Sequence, residues 1–200
     1  MSSQPMQRLF RIDDEREPGR IVRGRVTSPP AARAPLPWVL SLHGFKGFMH
    51  WGFFPLLSRR LARSGIVAIS FNVSGSGIGE DLVSFTDEAG FAANTISREL
   101  EDIDLVRFFV RGGRLPNVDA GCVGIIGHSR GGGTAILHAA EHGDARAIVT
   151  WSAVDRFDRF DEGTKASWRE TGYLPIVNSR TGQVLRLNWT ALQDAEEEGE

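Results

Sequence analysis

Gly127-His128-Ser129-Arg130-Gly131 is the stretch of the chain best suited to chemistry. It follows an apolar run, Cys122 to Ile126, and precedes a run of small residues, Gly132 to Ala140, so the local reading is strand, sharp turn, helix. A serine on such a turn is held in a strained backbone conformation with its hydroxyl outward. Glycines two positions to either side let strand and helix close up without Cβ clashes. Ser129 is therefore the candidate nucleophile. A glycine-rich turn of this kind also fits tight packing or phosphate binding, and it is the flanking strand and helix that favour the nucleophile.

Two more loops follow apolar runs. His43-Gly44-Phe45-Lys46-Gly47-Phe48 comes after Trp38 to Leu42, and Asn72-Val73-Ser74-Gly75-Ser76-Gly77-Ile78-Gly79 comes after Ile66 to Phe71. The glycine repeat of the second invites a phosphate-cradle reading, but no Gly-Lys-Ser/Thr follows it and Glu80 to Phe91 reads as an acidic loop. Glu99, Glu101, Asp102 and Asp104 read as the solvated face of a helix, without a His or Cys at ligand spacing to make them a metal site.

The elements that must position these loops alternate in type. Gln7 to Asp13 and Ile21 to Thr27 read as an antiparallel ribbon around the turn Asp13 to Gly19, and a Pro/Ala-rich connector runs from Ser28 to Pro37. Trp38 to Leu42, Ile66 to Phe71, Cys122 to Ile126 and Ala147 to Trp151 lack polar alternation and suit strands buried on both faces. Between them, Phe53 to Arg63 is a helix with Leu56, Leu57 and Leu61 inward, and Thr95 to Arg111 is amphipathic. The fold class is α/β, with a mostly parallel, doubly wound sheet. In such sheets ligands bind at the carboxyl ends of the strands, where His43, Ser129 and the Ser152 to Asp155 segment all fall. Residues 1–155 form the core, and 156–190 read as a cap over the site with a hairpin around Ser179 to Gly182. Residues 191–200 read as a disordered acidic tail.

Composition narrows the partners. A net charge of −2 and a pI near 6.2 give no general attraction to nucleic acid or an anionic membrane, and no apolar run is long enough for a membrane span. The single Cys122 excludes a disulfide scaffold and reads as a small buried hydrophobe. The N-terminus has no secretory pattern, so a cytoplasmic setting is expected.

Taken together, Leu42-His43-Gly44-Phe45, the loop Phe71 to Gly77 and Gly127 to Gly132 resemble the α/β-hydrolase superfamily, in particular its dienelactone-hydrolase-like and acyl-esterase or acyl-peptidase-like branches. The likeness spans roughly residues 7–155. It implies that Ser129 attacks an ester or related acyl carbonyl to form an acyl-enzyme, without cofactor or metal. It also implies that the backbone N–H groups of Phe45 and Arg130 hold the oxyanion. His43 reads as structural. Asp155 stands where some members carry their acid, and it equally suits a cap of the next segment.

The family's base is a late histidine, and here the last is His142. His138 and His142 lie along the helix after Ser129, His138 about 13 Å down its axis at 1.5 Å per residue. His128 points the opposite way from Ser129, and nothing recommends His50. The resemblance thus implies a front part of a longer hydrolase, truncated before its last two strands and about 60 to 90 residues short by analogy. The edge strand, Ala147 to Trp151, is then left bare. Three functions remain open: a serine hydrolase taking a small or medium acyl substrate, a non-catalytic module binding a small ligand or a protein, and acyl transfer to an alcohol or amine, which shares all the visible residues of the first. Lys46 and Arg130 near the mouth suggest an anionic acyl group.

Overall fold

The apolar runs pair into one six-stranded sheet. The computed structural model describes residues 4–30, 35–115 and 117–198. The first N-terminal residues, the middle of the Pro/Ala-rich connector and the last two residues of the acidic tail lie outside these.

The elements are β1 (Met6–Asp13), β2 (Ile21–Ser28), β3 (Leu36–Leu42), α1 (Phe54–Arg63), β4 (Val67–Asn72), α2 (Glu88–Ala92), α3 (Ile96–Arg111), β5 (Val118–His128), α4 (Arg130–His142) and β6 (Ala147–Trp151). The strand order is β1-β2-β4-β3-β5-β6. The ribbon β1/β2 joins β4 antiparallel, while β4, β3, β5 and β6 run parallel, with Leu40 between Ile69 and Ile125. Parallel strands need crossovers, and α1, α3 and α4 supply them.

Side chains alternate across a strand, so β4 shows which helix covers which face. Ile69 and Phe71 join Ile96, Leu100 and Ile103 of α3 and Ala135 of α4 in the main core. Ser70 points the other way, its Oγ 3.0 Å from Ser58 Oγ of α1. Helices therefore lie on both faces, and every residue of β4 is buried. The inward residues of α1 are Phe54, Ser58 and Ala62, and Leu56 faces solvent, contrary to the inward role its apolarity suggests. The small Ser58 and Ala62 let the helix approach the sheet.

Beyond β6 come α5 (Glu162–Thr171), β7 (Tyr173–Val177), β8 (Val184–Asn188) and α6 (Thr190–Glu197). β7 and β8 form the expected antiparallel hairpin as a separate two-stranded sheet. This region has its own apolar cluster: Trp168, Leu185, Leu187, Ala191 and Leu192 meet Ile78, Phe85 and Phe91 from the segment before α3. The Trp168 indole N–H donates to Leu187 O at 3.0 Å.

Four further expectations need correction. The acidic tail is ordered through residue 198, because Ala191, Leu192 and Ala195 give α6 a buried stripe. β6 is exposed along its whole length rather than buried on both faces, while its outer edge has no strand partner among the described residues, the bare edge that was expected. Cys122 is only half-buried. The acidic stretch before α3 also holds a helical turn, α2, capped by the Asp87 carboxylate accepting from Gly90 N.

Candidate active site

Ser129 sits between β5 and α4 with φ 55° and ψ −121°, a conformation that disfavours any residue with a Cβ. Contacts on both sides hold it there. Its N–H donates to Trp151 O at 2.9 Å, and its carbonyl accepts from Gly132 N at 2.9 Å and Val154 N at 3.2 Å. The flanking glycines are required by contact. A Cβ on Gly127 would lie 2.1 Å from Gly131 O, and one on Gly131 would lie 2.4 Å from His43 O. Gly44 is similarly confined, its Cβ position 2.9 Å from Ser129 Cβ.

The loop after β3 crosses beside the serine. Gly47 N donates to Gly44 O at 2.8 Å, closing a tight turn in which Lys46 has a φ of 57°. Val73 N donates to His43 Nε2 at 3.3 Å, so that nitrogen is the acceptor and Nδ1 carries the proton toward Gly44 O, 3.0 Å away. Burial holds the His43 imidazole below its ordinary pKa, and it is a neutral strut between two loops. Among the described residues, neither Phe45 N nor Arg130 N donates a hydrogen bond within the chain, and both residues line cavities that include Ser129.

Two cavities meet at Ser129. One, about 250 Å³, is lined by Gly44, Phe45, Trp51 and His128 and closed by Asn178 and Arg180 at the hairpin tip. The other, about 150 Å³, is more apolar, with Phe157, Phe160, Trp168 and Leu187 among its walls. The hairpin is fastened over the first: Arg180 Nη2 donates to Lys46 O at 2.7 Å and Lys46 Nζ to Val177 O at 3.1 Å. The Arg180 guanidinium also lies 5.6 to 5.7 Å from the ring centroids of Phe48, Trp51 and Phe85. Asn178 is buried, and its side-chain Nδ2 has no partner among the described residues.

The carboxylates of α3 divide differently from the expected solvated face, and Glu99 and Asp102 are buried. Glu99 accepts from Asn94 Nδ2 at 2.8 Å and lies 3.0 Å from Arg130 Nε, whose guanidinium stacks over Phe45 at 5.3 Å. That Nε contact lacks hydrogen-bond geometry, so it is an ion pair only. Asp102 accepts from Ser74 N at 2.6 Å and Arg20 Nη2 at 2.8 Å. Burial outweighs these partners and pushes its carboxyl up to about 6. The glycine repeat after β4 is packed against this framework: a Cβ on Gly75 would lie 2.0 Å from Asn94 Oδ1, and one on Gly79 1.9 Å from Thr86 Oγ1.

The structure brings Ser129, Phe45 and Arg130 together at the cavities and leaves Asp155 apart. Asp155 is exposed beyond β6, lines neither cavity and has no hydrogen bond among the described residues. Among the described residues the Ser129 hydroxyl has no hydrogen-bond partner either. His128 lines the larger cavity, with Phe53 edge-on to its ring, and donates nothing to the serine. Half-buried beside Arg25, His50 lines neither cavity. Trp51, Asn178 and Arg180 escape sequence reasoning because no motif links them to Ser129. The one available signal is the turn-forming Asn178 to Gly182 between two apolar runs.

This architecture is that of the α/β hydrolases. The α/β hydrolase GrgF from Penicillium sp. sh18 matches with a TM-score of 0.72 at 14% identity, over 96% of this chain and 73% of that one. Est1E from Butyrivibrio proteoclasticus, in its complex with ferulic acid, matches with a TM-score of 0.65 at 19% identity, over 94% of this chain and 70% of that one. A dienelactone hydrolase from Anabaena variabilis matches with a TM-score of 0.56 at 16% identity, over 76% of this chain and 65% of that one. No protein-family model and no curated protein sequence matches the chain. Among the described residues, no helix is long and apolar enough to cross a membrane.

Proposed function

We propose that the chain carries the nucleophile and oxyanion half of a serine hydrolase that cleaves ester or related acyl bonds. The observation that carries this reading is the strained Ser129 turn at the meeting point of two cavities, beside two uncommitted backbone N–H groups. Ser129 Oγ adds to the acyl carbon and gives its proton to a base. The carbonyl oxygen becomes an oxyanion held by Phe45 N–H and Arg130 N–H. Collapse expels the alcohol, protonated by the same base, and water then releases the acid. None of the five histidines is in hydrogen-bonding contact with Ser129, which supports assigning the base to a histidine outside these 200 residues. The chain spans 73% and 70% of the length of two structural neighbours, so those proteins carry residues with no counterpart here. Residues 156–190 act as the cap.

Labelling with a fluorophosphonate, before and after Ser129→Ala, tests the proposal. Labelling of a longer form of the protein, lost in Ser129→Ala, is the expected result. A longer form that carries a C-terminal histidine and stays unlabelled would sink it. The free Ser129 hydroxyl gives a specific reason to hold a second reading, a non-catalytic ligand-binding module, and the same unlabelled result favours it. On the hydrolase reading, Lys46 and Arg180 beside the larger cavity favour acyl groups carrying a carboxylate. Arg130, tied to Glu99 and Phe45, is less available for that role than its position suggests. Equal relative rates on neutral and carboxylate-bearing esters after Arg180→Ala would remove this preference.

A further inference from the structure

On the α3/α4 side of the sheet, Asp104, His138 and His142 each offer one ligand atom, and these atoms lie within 4.8 Å of one another. The two histidines are four residues apart on α4 and so share a face. Their rings stack with centroids 4.1 Å apart. Both Nε2 atoms approach the same carboxylate oxygen, Asp104 Oδ1, His138 at 2.9 Å and His142 at 3.2 Å.

Proton bookkeeping makes this arrangement informative. The Nδ1 of His142 is 3.0 Å from His138 O. A carbonyl only accepts, so Nδ1 carries the hydrogen, and the Nε2 of a neutral His142 turns its lone pair toward a carboxylate oxygen. Two electron-rich atoms at 3.2 Å need a positive species between them, either a proton or a cation. A backbone carbonyl that fixes the far nitrogen of an imidazole is also the usual outer support of a metal-binding histidine.

We propose that Asp104, His138 and His142 form a binding site for a divalent transition metal of the zinc class, clamping α3 to α4. With bonds of about 2.1 Å to N and O in tetrahedral array, neighbouring ligand atoms are about 3.4 Å apart. The two His–Asp104 separations, 2.9 and 3.2 Å, are near that value, and the part-exposed His142 ring turns out of its stack on His138 so that both Nε2 lone pairs reach one ion. Two imidazoles and one carboxylate suit zinc, cobalt or nickel better than calcium or magnesium. The Asp104 and His142 side chains are half and one-third exposed while His138 is fully buried, so the ion enters from solvent and water completes its shell.

The groups facing the site set its requirements. Arg107 Nη1 lies 3.3 Å from His138 Nδ1, which in this arrangement accepts and leaves Nε2–H donating to Asp104. Ligation by Nε2 moves that proton to Nδ1, so Arg107 Nη1 must turn away. The Arg107 guanidinium keeps Asp144, which it shares with Arg111.

The test uses metal-free, untagged chain titrated with CoCl2 and ZnCl2. One Co2+ per chain with a visible d–d band is expected, together with a Zn2+-dependent rise in melting temperature that a chelator reverses. His142→Ala should weaken binding at least about tenfold and abolish both signals. As His142 is part-exposed at the end of α4, this variant keeps the fold. Asp104→Asn should weaken binding in the same direction. The site is about 13 Å along α4 from Ser129 at 1.5 Å per residue, so fluorophosphonate labelling is a separate readout. Absence of stoichiometric binding at neutral pH, or binding unaltered by both substitutions, overturns the proposal.

Discussion

Ser129 shows how a single residue constrains its neighbours. Its positive φ turns strand into helix within one residue, and the cost is met by backbone packed so closely that glycine is required on both sides. Gly131→Ala tests this directly. The added Cβ would meet the carbonyls of Leu42 and His43, which cannot move aside as a flexible side chain can, so a loss of about 1–3 kcal/mol in urea unfolding is expected. An unchanged midpoint would mean that the turn relaxes freely. Asp102 makes a second prediction. Its folded pKa, about 6, lies above the ordinary 3.8, so between those values the folded state holds a proton that the unfolded state has lost. The contribution of this group to stability is therefore present at about pH 4 and is lost as pH rises through 6. Asp102→Asn should flatten that slope in denaturation measured from pH 4 to 6, and equal slopes would refute the assignment.

Among the elements, α3 and α6 show where sequence stops being informative. The periodicity of α3 was legible from Ile96, Leu100, Ile103 and Val106, as was the nucleophile turn from its glycines. The burial of Glu99 and Asp102 was not, because Arg20, Ser74, Asn94 and Arg130 lie on other elements and only the fold brings them near. Asp104 was hidden for the same reason, with its histidines a full strand and helix further on. The acidic composition of α6 masked a short apolar stripe. It also masked the role of Asp194, whose carboxylate accepts from Ile96 N at 2.5 Å and Ser97 N at 3.1 Å, supplementing the Thr95 cap of α3. Asp194→Ala should cost about 1 kcal/mol, the usual value of a lost helix cap, read as a lower melting temperature. No change would show that Thr95 alone suffices.

At the scale of the whole molecule, the central strands of the sheet are covered on both faces, and among the described residues its two edges, β1 and β6, lack a strand partner. Ile148, Val149 and Trp151 are about 40% exposed on β6, whose outer backbone groups lack a strand partner among the described residues. An apolar open edge of this kind templates pairing with another chain. The 200-residue chain should therefore self-associate with rising concentration, and Val149→Lys should suppress this in sedimentation without lowering the melting temperature. Association that persists unchanged would place the contact elsewhere.

The separate apolar cluster beneath the hairpin has a consequence for synthesis. The ribosome delivers Phe45, Phe48, Phe85 and Phe91 well before Trp168, Leu187 and Leu192, which cover them. Until those later residues emerge, the nascent chain carries an aromatic patch without its cover. Chaperones that recognise such surface have a defined target here, one that disappears only when α6 folds into place.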